Sequence, residues 1–153
     1  MSQIQNIDER LAGKAQLFSQ DKTAIGPSGS VLKGAVTVST LSSAAAVTYT
    51  ADQLLGGLIL RDPNGAARSD VTPTAALLRA ALPNVQAGTG FEFTIRNTAD
   101  AAETITVTAG TGVTLSGTMT IAQNNTKTFL VVFTNTTSGS DAVTIYSLGT
   151  GVH

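Results

Sequence analysis

The sequence predicts a mainly β protein: an antiparallel β-sandwich of the jelly-roll kind with about eight or nine strands, one short helix over about residues 73–82, and an extended N-terminal arm. Three observations predict it. In residues 90–148, short pieces alternate apolar residues with Thr or charged residues, the period of two typical of half-buried strands. Asn, Gly, Ser and Asp, which favour turns, separate these pieces. Only 12% of the chain is charged, so neutral polar residues must cover the surface, and the commonest of them, Thr, favours strands.

Composition also limits the domain organisation and the function. The 153 residues suffice for one domain, which we expect at 35–148, between an arm over 1–34 and a C-terminal tail over 149–153. A net charge of −1 argues against nucleic-acid binding, and the absence of cysteine excludes disulfides and Cys-ligated zinc. No stretch reaches the ~20 apolar residues of a membrane helix, and the N-terminus lacks the apolar run of a signal peptide. We therefore expect a protein of the bacterial cytoplasm, or of a particle assembled there.

The N-terminal arm carries an apolar stripe. Ile4, Ile7, Leu11 and Phe18 have helical spacing and precede the Gly-, Pro- and Ser-containing residues 23–30. Two interpretations stay open: a frayed tail, or an arm that orders only when it docks on another subunit. The second is favoured because the stripe has little core of its own to bury against. These four residues are therefore the candidate contact with another molecule.

Residues 34–61 begin the sheet. A strand starts at Gly34, and residues 45–50 are expected to form its neighbour. Thr50 is a suitable N-cap for a helical turn over 51–55, and the glycines that follow end the turn. Residues 57–61 then form a short apolar strand.

The segment 61–70 contains a turn. The sequence Asp-Pro-Asn-Gly at 62–65 has the composition of a β-turn. It also resembles the opening of a calcium-binding loop, but the twelfth position of such a loop requires Glu and is Pro73 here. Asp62 and Asp70 are therefore expected to be solvated loop acids.

Residues 73–82 form the best helix in the sequence. Thr72 is the expected N-cap, Pro73 lies in the first turn, and Pro83 ends the helix. Arg79 is expected on the exposed face. The buried face consists of Ala75, Leu78 and Leu82.

Two strands of the C-terminal half are distinctive. Phe91 and Phe93 share one face of an alternating strand. Residues 129–133 are continuously apolar, which favours a central strand buried on both faces or a strand facing a partner subunit. Phe129, Val131 and Phe133 are accordingly a possible seam between subunits.

No group of residues has the pattern of a reactive site. The only histidine, His153, is the last residue and is expected to be mobile, and the lysines show no motif with a serine. The glycine-containing pieces at 88–91 and 109–113 lack the Lys-Ser/Thr of a phosphate-binding loop. The sequence therefore predicts no catalytic, cofactor-binding or metal-ligating residue, and a structural or binding protein rather than an enzyme. A carbohydrate-binding module is disfavoured because the chain has no Trp.

Several stretches resemble small structural proteins of tailed bacteriophages, in particular capsid decoration (cement) proteins and related auxiliary head proteins. The resemblance spans about residues 50–151, in the segments 54–68, 73–78, 91–100, 117–127 and 143–151. It implies β-sandwich subunits, commonly homotrimers, that bind the major capsid protein on the capsid surface of the virion, after assembly in the host cytoplasm. It carries over no catalytic residues. On this view the stripe in the arm contacts the capsid or a neighbouring subunit, and the apolar seam joins the trimer. A fibre, spike or receptor-binding protein, presenting the loops 62–70 and 135–141, is the alternative.

Overall fold

A computed structural model describes Thr23–Ile25, Val31–Lys33 and residues 36–153 of the chain. In this part the protein is mainly β, with two short helices and three sheets. The strands are β1 (Thr23–Ile25), β2 (Val31–Lys33), β3 (Thr37–Ser42), β4 (Gly57–Asp62), β5 (Arg68–Val71), β6 (Gly90–Asn97), β7 (Ile105–Thr108), β8 (Val113–Ser116), β9 (Thr120–Ile121), β10 (Asn125–Asn135) and β11 (Ala142–Val152). The helices are α1 (Ala51–Gly56) and α2 (Ala75–Ala81).

The sheets are mixed, so the prediction of an antiparallel arrangement was wrong. The six-stranded sheet has the order β3-β4-β6-β10-β11-β8, in which β3, β4 and β6 are parallel to one another and β8 is parallel to β11. The three-stranded sheet has the order β5-β7-β9, with β5 parallel to β7. Strands β1 and β2 form a separate antiparallel pair.

The chain path explains the parallel pairs. From β4 to β10, each strand joins the sheet that the preceding strand did not join, because β5, β7 and β9 all belong to the three-stranded sheet. The crossing through the other sheet leaves β4 parallel to β6 and β5 parallel to β7, and a tight hairpin cannot join parallel strands. The direction reverses at the end of the series, since β9 is antiparallel to β7 and β10 is antiparallel to β6. Only β10 and β11 are joined as a hairpin within the larger sheet.

One core cluster contains side chains of both sheets. Phe93 on β6 and Phe129 on β10 stack with ring centroids 5.0 Å apart. Ile105 and Ile121 contribute from the three-stranded sheet, and Leu54 from α1. The predicted alternation on the strand containing Phe91 and Phe93 is confirmed, since both are buried and Glu92 between them is exposed.

Both helices begin at threonine caps. Thr50 and Gln53 form a capping box at α1, and Gly57 ends that helix in the left-handed conformation with φ of 98°, as the sequence predicted. The cap of α2 is Thr74, whose side chain accepts the N–H of Leu77, so the prediction of Thr72 was wrong. Thr72 is buried instead, and its hydroxyl accepts the N–H of Gly110. The helix is accordingly shorter than residues 73–82, but its predicted buried face is correct.

Two further segments differ from the predictions. Residues 45–50 do not form a strand beside β3; only Thr48 makes an isolated parallel bridge, to Val71. The predicted loose tail is the end of β11, where residues 149–152 pair with 125–128. The backbone N–H of His153 donates to the carbonyl of Asn124 at 2.9 Å. The β structure therefore extends to Val152, beyond the predicted end of the domain at residue 148.

Candidate functional site

A group of buried polar side chains surrounds Arg61 on β4. Arg61 and Asp70 are both 0% exposed, and the guanidinium binds the carboxylate through two hydrogen bonds: Nε donates to Oδ2 at 2.8 Å and Nη2 to Oδ1 at 3.2 Å. The phenol of Tyr49 donates to Oδ2 at 2.9 Å, and the backbone N–H of Val47 donates to Oδ1 at 2.9 Å. We call Arg61, Asp70 and Tyr49 the Arg61 cluster.

The remaining donors of Arg61 hold the irregular segment 43–49. Nη1 donates to the carbonyls of Ser43, at 3.0 Å, and Asp62, and Nη2 donates to the carbonyl of Ala45 at 2.9 Å. All five N–H groups of the guanidinium thus have an acceptor. The cluster ties β4 of the larger sheet and β5 of the smaller sheet to a segment that forms no strand of its own.

The environment fixes the protonation of Tyr49. Burial raises the pKa of its phenol above the usual value, and the charge and hydrogen bond of Asp70 raise it further, against an opposing effect of Arg61. The phenol therefore stays protonated and acts as a donor. Since every polar group of the cluster is already paired and none is open to solvent, its chemistry is that of a structural tie.

The sequence analysis misplaced Asp70 and overlooked Arg61. The interpretation of Asp70 as a solvated loop acid was wrong, because β5 turns its side chain inward to meet the guanidinium. A signal for Arg61 was present: it follows Ile59 by two residues on a strand with period two, so both face the core. The turn at 62–65 was predicted correctly, with positive φ at Asn64 and Gly65 and the Asn64 N–H donated to the Asp62 carboxylate.

A second group of buried polar residues, which we call the Asn97 group, comprises Asn97 and Glu103, and Lys127 is buried elsewhere. The amide of Asn97 donates to the carbonyls of Glu103, at 2.8 Å, and Ile121, at 3.1 Å, and accepts the N–H of Ala99. The Lys127 ammonium donates to the carbonyl of Thr118 at 2.8 Å, and burial lowers the pKa of that lysine. In the described part of the chain the buried Oε2 of Glu103 has no hydrogen-bond partner.

The other candidate residues lie apart from these groups. Ile4, Ile7, Leu11 and Phe18 fall outside the described residues. Phe129, Val131 and Phe133 all point into the core. Their strand is central in the sheet, as one alternative predicted, but only one of its faces is buried, since Leu130 and Val132 are partly exposed. His153 lies at the end of β11, with Nδ1 3.0 Å from the Thr126 hydroxyl.

The described residues contain neither a metal-binding cluster nor a helix that could cross a membrane. Residues 36–153 and the two short strands before them contain no group of three or more His, Cys, Asp or Glu side chains placed to hold a metal ion. Neither described helix is long and apolar enough to span a membrane.

The comparisons with known proteins give no further direction. No family model, curated protein or solved structure matches this chain. A function for this chain is therefore inferred from its own sequence and structure.

Proposed function

We propose that this chain is a structural protein of a bacteriophage virion, a capsid decoration protein that binds the assembled head and stabilises it through contacts between capsomers. The observation that supports the proposal is where the charged residues lie in the structure. Arg61 and Asp70 pair with each other in the core, and the open edges of the six-stranded sheet at β3 and at the end of β11 contain no charged residue. An uncharged surface of this kind suits close packing against another protein, which is the activity proposed.

We extend the proposal to a sandwich of two sheets and to a homotrimer. The six-stranded and three-stranded sheets, which share one core cluster, are taken as the two layers of a sandwich. Three such subunits form a homotrimer that contacts the major capsid protein. Because these contacts exist only on the assembled shell, binding shifts the equilibrium toward the shell by mass action.

The arm is the proposed attachment element. Ile4, Ile7, Leu11 and Phe18 precede the described strands and supply an apolar surface that becomes buried on the capsid or on a neighbouring subunit. On this proposal the apolar stripe is buried by attachment, because the sequence around it supplies little core of its own.

The test is binding to undecorated heads of the phage or prophage that encodes the chain. The full chain is expected to cosediment with purified heads, in proportion to the major capsid protein, and to raise their resistance to heat or chelation. A chain without residues 1–20 is expected to keep the circular dichroism spectrum of the full chain and to stay in the supernatant. Attachment of the shortened chain at full occupancy refutes the role of the arm. Failure of the full chain to bind heads refutes the proposal.

A fibre or receptor-binding protein is the second candidate, and the exposed loops favour it. Residues 64–67, between β4 and β5, and 137–140, between β10 and β11, are exposed tips at which a host glycan or protein has access. Copy number separates the two functions. A stained gel of purified virions with the chain in a small fraction of the capsid protein's amount supports the fibre, and a comparable amount supports decoration.

A further inference from the structure

The six-stranded sheet of the described chain ends in β3 on one side and in β8 on the other, and the part of β11 that extends beyond β8 is open as well. One edge is β3, which pairs with β4 on one side and with no strand of the described chain on the other. The strand β8 forms the other end, but its Val113 and Leu115 are only partly exposed. The distal half of β11 is open on the same side, because β8 covers only Val143 to Tyr146, while β10 continues to pair as far as Val152. Residues 147–152 therefore present unpaired backbone groups on one side. We call these the β3 edge and the β11 edge.

Apart from one β-bulge, neither edge carries the features that keep sheet edges apart. Residues 36–42 are Val-Thr-Val-Ser-Thr-Leu-Ser and residues 147–152 are Ser-Leu-Gly-Thr-Gly-Val, with no charged residue and no proline in either segment. Soluble proteins usually guard an exposed edge with Lys, Pro or a bulge. The one such feature is a β-bulge at Leu148, after which the pairing of β11 with β10 is regular again.

The exposed apolar side chains concentrate at the same two ends. In the described part of the chain, six large hydrophobic side chains are exposed, and four of them belong to the β3 edge or the β11 edge. They are Val36 (66%) and Val38 (52%) at the β3 edge, and Leu148 (52%) and Val152 (83%) at the β11 edge. The other two are Tyr146 (39%), beside β8, and Leu77 (56%), on α2.

The backbone of the β11 edge is also bare. Gly149 and Gly151 alternate along it, and a Cβ atom added at either position would meet nothing within 4 Å. Glycine inside a strand weakens it and often marks a place where another backbone approaches closely. The edge therefore combines free hydrogen-bonding groups, exposed apolar side chains and open space.

We propose that the β3 edge of one subunit pairs with the β11 edge of a second copy, so that the six-stranded sheet continues from subunit to subunit. The contact is heterologous, since two different surfaces meet, and repeated contacts of this kind close into a ring when the rotation between subunits permits. The number of three subunits rests on the proposed function; the pairing of edges does not. The pairing buries Val36, Val38, Leu148 and Val152 and satisfies the backbone of both edges.

Two double variants test the pairing, one for each edge. Val36→Lys with Val38→Lys blocks the β3 edge, and Leu148→Lys with Val152→Lys blocks the β11 edge. Light scattering on the full chain at about 100 µM is expected to give three times the chain mass of 15.5 kDa for the wild type and the monomer mass for each variant. Leu77→Lys is the matched control, because it places a lysine on an equally exposed apolar site away from both edges, and it is expected to keep the wild-type mass.

Mixing the two variants gives the sharpest result. Each retains the edge that the other has lost, so an equimolar mixture is expected to form a one-to-one dimer at twice the chain mass and nothing larger. A wild-type monomer overturns the proposal, as does a blocked variant that keeps the wild-type mass or a mixture that stays monomeric. If β3 paired with itself, the variant blocked at the β11 edge would remain dimeric, which also overturns it. Head binding is scored separately, so a ring that forms through these edges without binding heads refutes the proposed function alone.

Discussion

The Arg61 cluster and the Asn97 group are both buried in the same core, but only the first is fully hydrogen-bonded. In the Arg61 cluster each side of the ion pair has its complete set of partners, including the two carbonyls of the segment 43–49. In the Asn97 group the Asn97 amide is fully used, while Glu103 keeps a buried oxygen without a partner in the described structure.

The difference shows which buried charged residue stabilises the fold through its partners and which one lacks a partner that would do so. A buried ion pair contributes little when both charges are replaced together, but removing one partner strands the other in a medium of low dielectric. A buried polar atom without a partner already carries that penalty in the native state. Substitutions in the two groups should therefore have opposite signs.

The largest effect is expected for Asp70→Asn. The amide removes the charge that compensates Arg61 and places an N–H donor against its guanidinium, so we expect a loss of about 3–5 kcal/mol in the free energy of unfolding. Urea denaturation followed by circular dichroism measures it. Asp62→Asn is the matched control at the other end of the same loop, because Asp62 is partly exposed and the amide oxygen can still accept the Asn64 N–H. A loss at position 70 no larger than the loss at position 62 would show that the cluster is not a tie.

Alkaline pH should break the same cluster through Tyr49. The folded state raises the pKa of this phenol, so its contribution to stability is complete below the unfolded pKa of about 10 and is lost as the pH rises beyond it. In a Tyr146→Phe variant, Tyr49 is the only tyrosine, and its ionisation is visible as absorbance near 295 nm. We expect that absorbance to rise only together with the loss of the circular dichroism signal. A smooth titration of the phenol in the folded protein would contradict the buried donor.

The sequence could predict most elements but not their order in the sheets. Period-two alternation located β6, and the residue types around Thr50 and Gly57 located α1. A short turn, however, is compatible both with a hairpin and with a step to the other sheet, and nothing in residues 98–104 or 109–112 distinguishes the two. The mixed topology therefore depends on which faces pack together, which is a property of the whole chain.

The candidate site shows the same limit. The position of Arg61 follows from strand periodicity, since it is two residues from Ile59. Its partner Asp70 follows only from the fold, because β5 and β4 belong to different sheets and meet through side chains. The sequence could not predict the β3 edge or the β11 edge either, since an edge is defined by the absence of a neighbouring strand.

A stabilising change is expected in the Asn97 group. Glu103→Gln removes a buried charge with an unpartnered oxygen and leaves the backbone carbonyl free to accept the Asn97 amide. We expect the free energy of unfolding to rise by about 1 kcal/mol. Asp100→Asn, an exposed change in the same loop, should stay within about 0.5 kcal/mol of the wild type. A clear loss of stability in Glu103→Gln would mean that the carboxylate has a favourable role, and the contrast between the two groups would fail.

The smallest effect is expected at the ion pair between Arg79 on α2 and Asp141, which lies just before β11. The Arg79 side chain is partly open to solvent, so water screens its charge and competes for the carboxylate. Asp141→Asn is therefore expected to cost less than about 1 kcal/mol, and the cost should shrink between about 0.05 and 1 M salt. The loss in Asp70→Asn should change little over the same range, because salt does not reach the Arg61 cluster. Equal salt dependence at the two positions would mean that solvent enters the cluster, and it would remove the physical basis for treating Arg61 as the tie between the sheets.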